Sequence, residues 1–349
     1  MSKVNYHLIT LAREAAGYTQ KDFAEAIGVE QGTVSKIENG ITGKTSDEII
    51  KNIAYVLDYP ESFFYQDWIP ARVEGHYRRK LSLPIKTLKE CKAKMTLAER
   101  HLNLLCESVD LPLPNYPKWN LEVDGSASMC ARYLREYWKI PKGRITNLTE
   151  ILEDNGFVII EIDLSGTDGF SVLSENNTPI IFINKNMSGD RFRMTAAHEV
   201  LHFILHHGQK ISSDRDIEEE VREGASEFLL PLKEVESQVR VLNLSKLADL
   251  KMYWLVSMQA LLVKAGKNDI ITQHQYQYLW KQMSAAGYRK KEPVEVPKEK
   301  PTLFKELITT HLEDLKYSSE DLSKLLHFKK IDEWYFNKGG RLKILRKIA

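Results

Sequence analysis

Four histidines and one glutamate fall within twelve mostly apolar residues, "AAHEVLHFILHH", at 196–207. His198 and His202 are four positions apart, so on a helix their imidazoles share a face and can reach one ion. Glu199 lies beside them, placed to hold and deprotonate a water on that ion, the chemistry of an H-E-x-x-H sequence. Val200, Leu201, Phe203, Ile204 and Leu205 make the helix apolar nearly all round, which predicts that it is buried. Two histidines and a carboxylate in such a setting destabilise a core unless each finds a partner, a metal or hydrogen bonds.

A third ligand must come from elsewhere. His206 continues the four-residue spacing but stands about 12 Å along the helix from His198, and His207 leaves the face. A histidine ten positions after the first is excluded, because Gly208 stands there. The stretch "DIEEEVREGASEFLLP" at 216–231 is rich in carboxylates, and its inward helical face is Ile217, Val221, Gly224, Ala225 and Phe228. Glu218 and Glu220 flank that face, Glu219 points away, and Glu223 lies well off it. Periodicity leaves both flanking glutamates open.

A second pattern, "TQKDFAEAIGVEQGTVSKIENGIT" at 19–42, belongs to recognition and not to catalysis. Phe23, Ala24 and Ile27 form one apolar face, Gly28 supplies a sharp turn, and Val34 and Ile37 form the inner face of a second helix. Two short helices about a tight glycine turn make a helix-turn-helix. The outer face of the second helix, Gln31, Gly32, Thr33, Ser35 and Lys36, would lie in a major groove of double-stranded DNA, where such side chains read base edges. Asn39 reads as a helix cap. Residues 1–66 hold six basic and nine acidic residues, a balance of −3. Affinity for DNA comes largely from phosphate neutralisation, so a single copy should bind weakly and a homodimer is expected.

The elements around these motifs predict a mainly α chain with an α+β core. At 349 residues, two or three domains are expected. Residues 1–66 read as an N-terminal helix-turn-helix bundle and 67–112 as a helical linker. That linker carries "HYRRK" at 76–80, and Leu88, Met95, Leu102 and Leu105 at near-heptad spacing suit a spacer or a dimer seam. The Pro-rich stretch 110–119 marks a boundary. Within 113–235, helices are expected at about 127–138 and 147–155, then strands in "GFVIIEID" and "TPIIFINKN", then the histidine helix. The strand at 179–184 could pair with an extended substrate by strand addition. Residues 236–349 read as helical and end basic in "KGGRLKILRKIA", with a charged, Pro-rich linker at 290–301 expected to lack packed structure. No run approaches 18 apolar residues, which argues against a membrane span, and the N-terminus lacks a signal-peptide core. Cys91, Cys106 and Cys130 are sparse and show no C-x-x-C spacing, which fits a reducing cytoplasm. A net charge of +1 favours no partner by itself.

The 19–42 pattern resembles the phage-repressor, Cro-like family, and "TSDEIIKNIAYVLDYPESFF" at 45–64 resembles its closing helices. The resemblance implies that Gln20 contacts phosphate and buttresses the reading residues. "RFRMTAAHEVLHFILHH", followed by an acidic helix ending in "FLLP", resembles the ImmA/IrrE family of zinc metallopeptidases over about 120–235. "TDGFSVL" and "PIIFINKN" are similar to the strands before that family's active helix. Counting back from Pro231, the resemblance implies Glu220 as the third ligand, with Zn²⁺ on His198, His202 and Glu220, a position open for water, and Glu199 as the base. Val221, Arg222 and Gly224 replace the family's usual Ala, Asn/Asp and Phe, and Leu201 replaces a Gly inside the motif. Together the resemblances imply a zincin-like α+β peptidase domain on a DNA-binding transcriptional regulator. Its expected substrate is a repressor or the chain itself, in a stress or mobile-element response. A non-enzymatic zinc-containing regulator or sensor, or an antitoxin-like DNA-binding protein, is the alternative.

Overall fold

The computed structural model describes residues 3–41, 45–70, 84–164, 166–209, 214–329, 331 and 335. The "HYRRK" stretch and the basic end at 338–349 lie outside the described residues. The chain divides into two compact units: residues 1–110, 160–167 and 303–349 form the first, and 111–159 with 168–302 the second. No helix among the described residues is long and apolar enough to cross a membrane.

The first unit opens with four short helices, α1 (Tyr6–Ala15), α2 (Gln20–Ile27), α3 (Gln31–Glu38) and α4 (Asp47–Leu57). Local chemistry explains their ends. Thr19 and Asp22 form a reciprocal capping box at the start of α2, and Gly28 ends it with a left-handed φ of 71° that L side chains avoid. Leu8, Ile9, Phe23, Ile27, Val34, Ile37, Ile50 and Ile53 are buried. A long helix follows, α5 (Ile85–Leu105), and it packs against α1. Met95, Leu102 and Leu105 are buried in this unit. Three of the four positions expected to form a spacer or dimer seam are therefore core residues of this unit, and Leu88 is half-buried.

The second unit begins within the Pro-rich stretch and carries α6 (Ala127–Tyr137) and α7 (Leu148–Asp154). Three strands follow along the chain, β1 (Val158–Ile162), whose residues 160–162 are grouped with the first unit, β2 (Gly169–Leu173) and β3 (Pro179–Asn184), in the sheet order β1-β3-β2. β2 and β3 are an antiparallel hairpin with Gly169 opposite Ile183 and Leu173 opposite Pro179. Asn177, at φ 58°, turns the loop between them, a conformation asparagine tolerates. β3 is the central strand, hydrogen-bonded on both sides, so it has no edge for a substrate strand; the edge strand of that hairpin is β2.

Then come α8 (Gly189–His206), α9 (Ile217–Leu229), the short α10 (Leu232–Val235), α11 (Leu244–Trp254), α12 (Met258–Lys267) and α13 (Gln273–Ala285). Leu247, Trp254, Met258, Leu261 and Leu262 join the same hydrophobic cluster as Val200, Leu201, Val221 and Phe228. The domain therefore does not stop at 235. The Pro-rich stretch after α13 is not an unpacked linker either, because its charges find buried partners. Glu292 accepts from Lys251 Nζ (2.7 Å) and from the backbone N–H of Met258 (2.9 Å). Val296 is buried, Glu299 pairs with the buried Arg193 and caps the Thr149 N–H (2.7 Å), and the Thr302 N–H donates to Glu153. Beyond it, α14 (Leu303–Glu313) and α15 (Ser319–Leu326) belong to the first unit and pack on α5.

Candidate metal centre

α8 is buried along most of its length, with Phe192, Ala196, Ala197, Val200, Leu201 and Ile204 in the core. The four-residue spacing puts His198, His202 and His206 in one row, the ring centroids of the first two 4.5 Å apart. α9 packs against α8 and supplies carboxylates to that row. Glu218 Oε2 lies 3.3 Å from His198 Nε2, and Glu218 Oε1 lies 3.4 Å from His202 Nε2. The three ligand atoms of His198, His202 and Glu218 fall within 4.8 Å of one another, as a group able to hold a metal ion. Two atoms bound about 2.0–2.1 Å from a tetrahedral zinc stand about 3.3–3.4 Å apart. Each histidine nitrogen lies about that far from one oxygen of Glu218, a different oxygen for each, and two nitrogens with one carboxylate are a donor set that zinc accepts. Hydrogen bonds from His198 first, then His202, hold the Glu218 carboxyl far below the usual carboxylate range.

The resemblance implies Glu220 here, but the structure brings Glu218 to the pair. Two residues apart on a helix, these side chains are turned by about 200°, so they meet α8 at different heights. Glu220 Oε2 lies 3.2 Å from His206 Nε2, and its carboxylate accepts from Arg215 at 2.9 and 3.0 Å. His206 Nδ1 in turn stands 3.3 Å from His202 Nδ1. Sequence reasoning names His206 only to set it aside as too far from His198 to share an ion, and it does not single out Arg215.

Glu199 is buried beside the pair and accepts a hydrogen bond from Ser171 Oγ at 3.1 Å. Ser171 lies on β2, so the edge strand touches the carboxylate expected to act as base. Nothing in its sequence context announces this. Gly169, on the same strand, lets α8 come close: a Cβ there would stand 2.7 Å from Thr195 Cγ2 and 3.2 Å from Glu199 Cγ. The family departures compensate one another. A Cβ on Gly224 would lie 3.2 Å from Leu201 Cδ1, so the large residue on α8 faces the small one on α9.

In the first unit, Gln31, Gly32 and Lys36 are exposed on α3, and Thr33 and Ser35 are half-buried. Asn39 ends α3 and donates to the Ser35 carbonyl at 2.8 Å. The Gln20 amide donates to Glu38 Oε2 (2.7 Å), and Arg13 Nε donates to Glu38 Oε1 (2.5 Å). Gln20 thus ties the start of α2 to the end of α3.

Comparison with known families agrees with both halves. Residues 9–64 match a family model described as helix-turn-helix, and residues 152–265 match a peptidase family model described as the IrrE N-terminal-like domain. No curated protein matches the chain. A helix-turn-helix and a buried H-E-x-x-H helix therefore occur in one polypeptide: the chain joins a helix-turn-helix DNA-binding domain, matched over residues 9–64, to an IrrE-like peptidase-family domain, matched over residues 152–265.

Proposed function

We propose that the chain is a cytoplasmic transcriptional regulator whose second unit is a zinc-dependent peptidase, with His198, His202 and Glu218 as ligands and Glu199 as general base. The observation that carries this reading is the convergence of His198, His202 and Glu218 ligand atoms within 4.8 Å of one another, with Glu199 held beside them by Ser171. A zinc ion held there supplies the Lewis acidity that activates water and polarises a peptide carbonyl. Glu199 takes the proton of the attacking water and passes it to the leaving amine. Ser171 fixes one carboxylate oxygen, so the base does not have to be oriented during the reaction. An extended substrate lies along β2, the edge strand, and main-chain hydrogen bonds align it. Joined to a repressor-like reader, the peptidase acts on a repressor or on a second copy of this chain, in a stress or mobile-element response.

The test is Glu199→Gln, nearly isosteric and unable to accept the proton. Cleavage of co-expressed repressors, or of an inactive copy of the chain, should fall by at least ~10²-fold while zinc stays bound. Cleavage that persists in this variant would place the base elsewhere. No cleavage by either form, with zinc bound and regulation intact, would favour a sensor.

The helix-turn-helix reads an operator in double-stranded DNA through Gln31, Gly32, Thr33, Ser35 and Lys36, with Gln20 supporting α3, and it does so as a homodimer because of the −3 balance of residues 1–66. Gln31→Ala with Thr33→Ala should cost about 1–3 kcal/mol of discrimination per lost base contact and leave non-specific binding nearly intact. Equal retention of operator and random DNA by the unsubstituted chain at low salt would end this reading.

A further inference from the structure

The second unit contains more polar order than a three-ligand site requires. His202 presents Nε2 to Glu218 and Nδ1 to His206 Nδ1 at 3.3 Å; His206 then presents Nε2 to Glu220 Oε2 at 3.2 Å, and Arg215 closes the row on the same carboxylate. The side chains of His202 and His206 are 8% and 0% exposed. Both histidines thus depend on protein partners for most of their hydrogen bonding.

We infer that His206 and Glu220 are positioning residues that hold His202 in its ligating tautomer, an inference that rests on the reading of His202 as a metal ligand. A neutral imidazole has one N–H and one lone pair. Two ring nitrogens facing each other need one proton between them, so the row has two possible directions. In one, His202 Nδ1–H donates to His206 Nδ1, and His206 Nε2–H donates to Glu220. In the other, the His206 lone pair faces the Glu220 carboxylate, and His202 carries its proton on Nε2, where it blocks the metal. Glu218 at the near end would draw the proton to Nε2 in the same way, so an ion that takes His202 Nε2 together with Glu218 is what leaves the far carboxylate, itself an acceptor for Arg215, to fix the first direction. Arg215 donates two hydrogen bonds to the same carboxylate and so holds it as an acceptor in this place. Burial sharpens the choice, since a mismatched donor or acceptor in a low dielectric has no water to turn to. Glu220 therefore acts on the site through two imidazoles, at one remove more than a carboxylate paired directly with a ligating histidine.

The experiment measures zinc affinity of the full chain by chelator competition, and thermal stability of the zinc-free form. The variants are His206→Leu, His206→Gln, Glu220→Gln and the double variant His206→Leu/Glu220→Gln, with His202→Ala as the reference for a lost ligand. His206→Leu should weaken zinc binding about 10–100-fold. His206→Gln should recover most of that loss, because its carbonyl can accept from His202 and its amide can donate to Glu220. Glu220→Gln should fall between, and the double variant should bind no worse than His206→Leu alone, since the two residues act in series. A purely structural role would lower the stability of the zinc-free form and would not distinguish Gln from Leu by metal affinity. If His206→Leu does not fold, the partly exposed Glu220 decides by itself. Zinc affinity within about twofold of the parent in Glu220→Gln, with His202→Ala stripped of metal, would overturn the relay and leave the ligand reading standing. A parent chain that takes up no zinc would overturn both.

Discussion

His101 on α5 and His202 on α8 are both buried histidines on long helices, yet their surroundings make them different chemical objects. His101 sits among aromatic groups, with the Phe328 ring 5.1 Å away and the Tyr335 hydroxyl 2.6 Å from Nδ1. Burial, with smaller contributions from Arg100 and His327, pushes its pKa down to about 3, so it is a neutral core residue. His202 has a carboxylate at one nitrogen and a second imidazole at the other. Burial alone makes a histidine neutral; convergent donors on neighbouring elements are what make it a candidate ligand.

The contrast breaks most sharply on metal content. His202→Ala should lower zinc affinity by about 10³-fold, the share of one ligand in the roughly 10–16 kcal/mol of a structural zinc site. Its melting temperature should no longer respond to a chelator. His101→Phe should retain about one zinc per chain. Elemental analysis of both proteins, purified without added metal, decides: equal zinc in the two would erase the distinction.

A smaller effect sharpens the α8 side without changing any ionisable group. Gly169→Ala puts a methyl 2.7 Å from Thr195 Cγ2 and 3.0 Å from the Phe182 carbonyl oxygen, so β2 and α8 must separate. The expected cost is about 1–3 kcal/mol of overpacking, with cleavage lost through a displaced Glu199 and zinc retained. Denaturant melts beside cleavage assays check it; an unchanged midpoint with full cleavage would mean that the strand–helix contact is not tight.

The last effect, confined to acid pH and absent near neutrality, belongs to His101. Its folded pKa of about 3 lies below the ordinary 6.5, so the unfolded chain binds the proton first. Its contribution to stability is complete above about pH 6.5 and is lost as pH falls toward 3, at up to about 1.4 kcal/mol per pH unit. His101→Phe should flatten the stability profile over that window relative to the parent. Parallel profiles for the two proteins would show that His101 is protonated in the folded state.

The candidate site was legible where spacing is local and illegible where it is not. His198, Glu199 and His202 follow from the four-residue repeat of one helix, and the burial of α8 follows from its apolar residues. The choice between Glu218 and Glu220 does not, because both flank the inward face of α9 and only the packing of α9 on α8 selects one. Ser171 was invisible for the same reason: its meaning depends on which strand forms the sheet edge. Charge and proline content at 290–301 suggested a solvated linker, whereas Lys251, Arg193 and the start of α12 supply partners that composition cannot reveal.

By itself the sequence determined two things about this protein: a helix-turn-helix whose polar face points away from its core, and a buried helix with two histidines and a glutamate on adjoining positions. Both are periodic, short-range patterns, and backbone geometry converts them directly into faces. The tertiary structure alone decided which carboxylate meets those histidines, which strand runs beside them, and that His206, Glu220 and Arg215 continue the row. Those are relations between elements far apart in the chain, and they depend on crossing and rotation that no local pattern encodes.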